Sequence, residues 1–326
     1  MTSTTPAWNA DMTTASALLD RFFHIASQSI PSDMSFVEWK AKFDLEKTPW
    51  CNTVDRALLA GAISDRVAYA FSGGYQSALN ALFPSSFDNK LSAFCVTEEG
   101  GNHPKAIQTT LIHTSGQWFL NGSKKFITGG CDADRLFVAA NQNIDTSQKP
   151  SIVMVEIYTS QSGIAITPMP TLPFVPEVTH GTATFDNVHI NEGSICPGDG
   201  YDEYIKPFRT IEDIHISAAL LGYICSTAIR LSWNQNFIER SLACILMHRE
   251  LATMDAKSPS THLVLAGVQQ TAVELFQQAE PMWATTDPGA YSLWKRDKSI
   301  LGIASAAQLK RKEKAWSTLL SVSQDA

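Results

Sequence analysis

The sequence predicts an α+β chain in three parts. A helical domain covers residues 1–90, a middle antiparallel β-barrel or sandwich domain 91–198, and a C-terminal helical bundle 199–326. Two changes of hydrophobic period predict this. Apolar residues recur every three or four positions up to Pro84, every second position from Leu91 to about Ile195, and every three or four again from Tyr204. The third observation is that the middle runs are short and several are separated by tight-turn residues, the pattern of a sandwich or barrel.

In the first part, Leu19, Phe22, Phe23, Ala26 and Ile30 share one helical face, and Leu59, Ala62, Ile63, Val67 and Ala70 repeat the spacing. Gly73-Gly74 is expected to break this second helix, Tyr75 to Leu82 to resume it, and Pro84-Ser85-Ser86 to close the unit. Strands are expected over 93–97, 109–113, 118–121, 124–127, 136–140, 152–156, 164–168 and 182–185. Ser115-Gly116 and Asn121-Gly122 read as turns between them. The polar stretch from Asn141 to Pro150 reads as a surface loop. Beyond Tyr204 three stripes predict helices: Ile214, Ala218, Leu221, Cys225 and Ala228; Leu265, Val268, Ala272, Phe276 and Ala279; and Ile300, Ile303, Ala304 and Ala307. Breakers stand at Ser258-Pro259-Ser260 and Asp287-Pro288-Gly289.

Composition narrows the function. The 326 residues are 44% hydrophobic and 17% charged, as a core-forming protein requires. A net charge of −7 excludes nucleic acid as the main partner, because phosphate binding needs a basic field. The densest charged run, Lys310-Arg311-Lys312-Glu313-Lys314, is mixed in sign and reads as the solvated face of a late helix. Met1 to Asp11 lacks a basic segment followed by an apolar core, and no apolar stretch is long enough to span a bilayer. The expectation is a cytoplasmic protein with no membrane insertion. Six scattered cysteines without CxxC spacing read as reduced, and eight histidines without ligand spacing predict no metal.

The stretch from Phe94 to Gly130 carries the chemistry. It reads as a strand ending in a polar, Gly-rich turn, then a hairpin whose second strand ends in an exposed aromatic and a hydroxyl. Backbone N–H groups and the hydroxyls of Thr97 and Thr128 can converge there on a flat polar ligand. Three segments carry a family resemblance: Thr97-Glu98-Glu99-Gly100-Gly101-Asn102-His103, then Asn121-Gly122-Ser123-Lys124-Lys125-Phe126-Ile127-Thr128, then Phe185-Asp186-Asn187-Val188-His189-Ile190. In this order, inside a helix–β–helix layout, they resemble the acyl-CoA dehydrogenases, as a shortened and divergent member.

The resemblance implies FAD as cofactor. Thr97 would touch the pyrimidine edge of the flavin, Thr128 would sit near N5, and Phe126 would pack against the ring where the family usually has Trp. Donors near N1 and O2 stabilise the charge that a reduced flavin gains, and an apolar ring excludes water. Asn102 or His103 stands where the family has a pyrophosphate-binding Ser. Two features are missing: the later Arg-x-x-Phe-Gly…Gln motif, whose nearest text is Asn236-Phe237-Ile238-Glu239-Arg240, and the Gly-Gly-x-Gly turn after it. The resemblance also implies an acyl-CoA substrate and a homo-oligomer, dimer or tetramer.

Oxidation of an acyl thioester needs a carboxylate to take the α-proton. Most of the family carries this Glu in a late loop, but the matching region, Ile303 to Gln308, has none. A minority carries it on the first helix after the β unit, and there Glu212 falls on the position, with Asp213 replacing the usual Arg. A second carboxylate nearby would raise the pKa of Glu212 further. The plainer reading of Glu212 and Asp213 is a favourable charge at a helix N-terminus. Glu98 and Glu99 are lesser candidates. The lost motifs keep two alternatives open: a non-catalytic member serving as a binding or assembly subunit, and a flavin-dependent oxidase or monooxygenase.

Overall fold

The computed structural model describes residues 13–143 and 149–322. Part of the Asn141–Pro150 loop and the Met1–Asp11 segment lie outside them. The described residues begin with four helices: α1 (Ala15–Ala26), α2 (Phe36–Lys47), α3 (Thr53–Ala62) and α4 (Val67–Leu82). Side chains fix where three of them begin. Thr14 accepts from the Ala17 N–H, Ser35 and Glu38 form a reciprocal capping box, and Asn52 accepts from the Val54 N–H. Phe22 and Ala26 of the expected α1 stripe are buried, whereas Phe23 is exposed.

Gly73-Gly74 does not break a helix; the pair lies inside α4. A Cβ on Gly74 would lie 2.8 Å from the Ile216 Cα, so the residue is small because α4 touches a later helix there. Gly61 of α3 does the same against that helix, where an added Cβ would meet the Ala219 carbonyl oxygen at 1.8 Å. The real break falls between Ala62 and Val67.

Seven strands form one sheet: β1 (Ser92–Cys95), β2 (Thr110–Thr114), β3 (Gln117–Thr128), β4 (Arg135–Asn141), β5 (Ile152–Tyr158), β6 (Ile164–Pro168) and β7 (His180–Ile190). The order is β1-β4-β2-β3-β7-β6, with β5 on the other edge of β4. Most pairings are antiparallel, but β1 runs parallel to β4 through a long crossover. Ser115-Gly116 is a two-residue turn between β2 and β3 with positive φ at both positions. Asn121-Gly122 is not a turn. It is a bend within the continuous β3, where the register against β7 shifts. Gly122, at φ +139°, lies against Thr109, whose Cα a Cβ would meet at 2.6 Å.

β4 is buried on both faces. Leu136, Val138 and Ala140 of β4 face a core made by the sheet itself. The alternate residues Phe137 and Ala139 face a second core with Tyr75 and Leu79 of α4 and with Phe208.

The chain returns to helix through a π-helical turn at Gly200–Ile205. Then come α5 (Lys206–Arg230), α6 (Gln235–Leu251), α7 (Pro259–Thr286), α8 (Pro288–Asp297) and α9 (Ser305–Val322). Pro259 and Pro288 open α7 and α8, the position where a missing N–H costs least. The first and last helices share one core, with Trp39 and Leu58 in the same cluster as Tyr223, Leu265 and Trp283. The link between β6 and β7 is clamped onto them. Arg66 and Arg296 both reach Glu177 at 3.0 Å, and the Val175 N–H donates to Asp297 at 2.8 Å.

Candidate functional site

A cavity of about 290 Å³ opens where the sheet meets the helices. The ends of β3 and β7 supply Thr128 and His180, and α4 supplies Phe71. The β6–β7 link adds Leu172, Phe174 and Val175. From α5 come Glu212, Asp213, Ile216, Ser217 and Leu220, whose spacing puts them on one helical face. Gln269 and Phe276 of α7 and Ile303 and Gln308 beside and on α9 complete the wall. The lining is mostly apolar with a few polar groups, the usual make-up of a small-molecule site.

Glu212 is half-buried and lines the cavity, and burial and neighbouring charges, with no hydrogen bond, set the state of its carboxylate. Burial pushes its pKa up to about 7; Asp213 adds to the rise and Arg209 opposes it. Asp213 is itself held by two side chains of α9. Gln308 donates to it at 3.1 Å, and Arg311 pairs with it. The cation missing at position 213 is thus supplied from a later helix, by a residue of the run read as a solvated face. The helix-terminus reading of Glu212 does not fit its place, because it lies a turn and a half inside α5.

The flavin-contact candidates divide into two groups. Thr128 lines the same cavity as Glu212. Phe126, two residues earlier, projects with 59% of its surface exposed from a backbone at φ +56°. Thr97 is half-buried beside them; its carbonyl accepts from the Lys125 N–H at 2.8 Å. Asn102 and His103 do not join the cavity and stand exposed on the loop after β1. Nδ1 of His103 accepts from the Lys105 N–H at 3.3 Å, which leaves Nε2 as a free donor in the neutral ring.

Glu98 and Glu99 lie away from the cavity. Glu98 is buried, accepts from the Gln108 and Thr109 N–H groups, and meets Lys124 at 2.6 Å. Glu99 is exposed and pairs with Lys125. The 236–240 segment sits on α6, with Phe237 in the helical core and Arg240 donating to Gln278. Phe71, His180, Ser217 and Gln269 line the cavity without any motif to announce them. For Ser217 a signal existed: it lies four residues after Asp213, on the same helical face.

Among the described residues no group of three or more His, Cys, Asp or Glu side chains is arranged to hold a metal ion, and no helix is long and apolar enough to cross a membrane.

Comparisons with known proteins agree with this geometry. Residues 93–188 match the family model of the acyl-CoA dehydrogenase middle domain. No curated protein matches the sequence. The butyryl-CoA dehydrogenase of Megasphaera elsdenii has a similar structure, at a TM-score of 0.71 and 16% identity over 94% of this chain and 98% of that one. A chain of the electron transferring flavoprotein structure of Acidaminococcus fermentans gives a TM-score of 0.71 at 13% identity, over 97% and 99%. PigA with FAD and proline gives 0.68 at 15% identity, over 96% and 98%. At such identities the likeness is one of fold. The middle domain of this chain belongs to the acyl-CoA dehydrogenase family, and the chain as a whole carries the acyl-CoA dehydrogenase fold.

Proposed function

We propose that the chain is an FAD-dependent oxidoreductase that oxidises an acyl-CoA thioester, with Glu212 as the base. One observation carries this reading: an unpaired carboxylate with a pKa near 7 shares a cavity with Thr128, at the end of the strand that holds Phe126. A base works best when its pKa lies near the working pH, and Glu212 meets that condition.

The residues fit the ring end of a flavin. A large aromatic held out to solvent on a left-handed backbone costs both exposure and strain, and a flat ligand laid on it offsets the first. Thr97 and Thr128 would meet the polar edge of the ring, and the free donor of His103, or the amide of Asn102, would meet the pyrophosphate. When bound, FAD supplies the oxidant that accepts the hydride leaving the β-carbon. Glu212 takes the α-proton on a carboxylate oxygen. Phe71, Phe174 and Phe276 keep water from the acyl group. The reading carries with it a homo-oligomer, dimer or tetramer, and a cytoplasmic location.

One observation favours the binding-subunit alternative. Asn102 and His103 lie in the open, and nothing at 236–240 replaces the lost adenine-side motif. Incubation of the purified protein with FAD, followed by gel filtration and an absorption spectrum, separates the two. Retained flavin absorbance supports the oxidoreductase; a colourless protein supports the alternative.

A further inference from the structure

Ser217 and His248 form a polar pair that the proton abstraction does not use. Nε2 of His248 lies 2.8 Å from Oγ of Ser217, and Nδ1 lies 2.8 Å from the Cys244 carbonyl. A carbonyl only accepts, so Nδ1 carries the proton. His248 is wholly buried, and burial pushes its pKa down to about 4, so the ring is neutral and Nε2 is bare. A bare ring nitrogen also only accepts, so the hydroxyl proton of Ser217 is committed to it. Serine in a helix commonly donates back to a carbonyl one turn earlier; here that proton goes to another helix. The oxygen keeps its lone pairs, and Ser217 lines the cavity.

We propose that Ser217, its proton held by the positioning residue His248, presents an acceptor to the acyl part of the cavity and selects acyl groups that carry a hydrogen-bond donor, a hydroxyl or a nitrogen-bound hydrogen, over plain alkyl chains. This rests on the acyl-thioester reading above. Five residues of helix separate Ser217 from Glu212, about 7.5 Å along the axis, so the donor sits several atoms beyond the α-carbon. Gln269 of α7 lines the same cavity with an amide that makes no hydrogen bond to any described residue, a second polar group in the wall. A plain alkyl chain covers the free lone pairs of Ser217 and the Gln269 amide without giving them a partner, which is how such sites reject the analogue lacking a polar group. The same Ser–His geometry recurs in activated nucleophiles. A ring with so low a pKa is a poor base at neutral pH, so the pair serves recognition.

The test measures binding to the FAD-loaded protein of non-reactive thioether analogues of straight-chain acyl-CoAs and of their ω-hydroxy counterparts, by calorimetry. The wild type is expected to prefer a hydroxylated analogue by about tenfold, and Ser217→Ala to lose that preference. Ser217→Cys keeps the shape with a weaker acceptor, and gives the same readout if the alanine variant fails to fold. Equal affinities in the wild type, or a preference that survives in the variants, overturns this inference alone. Failure of both series to bind overturns it together with the acyl-thioester reading. Nitrogen-15 NMR supplies an independent readout: the expected His248 ring is neutral with Nδ1 protonated, and a ring protonated on Nε2 overturns the inference. Labelling of Ser217 by a serine-reactive fluorophosphonate also overturns it, since it would make the residue a nucleophile.

Discussion

Nζ of Lys124 lies 2.6 Å from Oε1 of Glu98, and the lysine side chain has no solvent exposure at all. The pair ties the loop after β1 to the middle of β3, so two of the resembling segments are one structural unit. Burial works against the Glu98 carboxylate, yet Lys124 and two backbone N–H groups hold its pKa below the usual range. Lys124→Met leaves that charge buried and unpaired, and is expected to cost about 3–5 kcal/mol. Adding Glu98→Gln should restore most of the loss. Denaturant unfolding of the wild type and the two variants checks this, and Lys124→Met as stable as the wild type contradicts it.

Glu212 gives the folded protein an acidity of its own. Its folded pKa, about 7, is raised above the ordinary 4.5. The folded state therefore holds the proton more tightly, and this group removes stability as pH rises from 4.5 through 7. Each unit of that separation is worth about 1.4 kcal/mol. Glu212→Gln should be more stable than the wild type above this window and equal to it below. Unfolding free energies on both sides of the window test the claim; a variant less stable at high pH refutes it.

Two histidines act in the opposite sense. Burial lowers both His215 and His248 from 6.5 to about 4. Unfolding lets each take up a proton as pH falls from 6.5 to 4, so their contribution to stability is lost on acidification. Two protons outweigh the single one that Glu212 holds in the overlapping range. Net proton uptake on unfolding is expected there, and His215→Gln should reduce it by about one proton. Stability curves against pH measure this directly, and an unchanged slope contradicts it.

Phe126 trades stability for a ligand face. Its left-handed backbone costs about 1–2 kcal/mol, which glycine does not incur. Phe126→Gly should raise the melting temperature of the flavin-free protein and weaken FAD binding. A variant that binds FAD as tightly as the wild type removes Phe126 from the site.

The order helix, sheet, helix was legible because the hydrophobic period changes where the elements change. The errors are equally physical. Gly73-Gly74 reads as a breaker by local preference, but those glycines let helices touch, and contact with α5 is not written near them. Asn121-Gly122 has turn chemistry, but Thr109 crosses close by and the strand bends and continues. Glu212 was singled out by its place after the β unit, and it does line the cavity. The partners of Asp213 were not, because Gln308 and Arg311 lie 95 and 98 residues away. Ser217, His180 and Gln269 become a site only when three separate elements close around one cavity.

The most direct measurement of the central claim is the flavin absorption spectrum during anaerobic addition of a series of acyl-CoA thioesters, in the wild type and in Glu212→Gln. The wild type is expected to lose its oxidised-flavin absorbance with at least one thioester. The variant should retain its flavin and keep that absorbance, with reduction slowed by about a hundredfold or more. Reduction of the variant at the wild-type rate, or a wild-type protein whose bound flavin no thioester reduces, would contradict it.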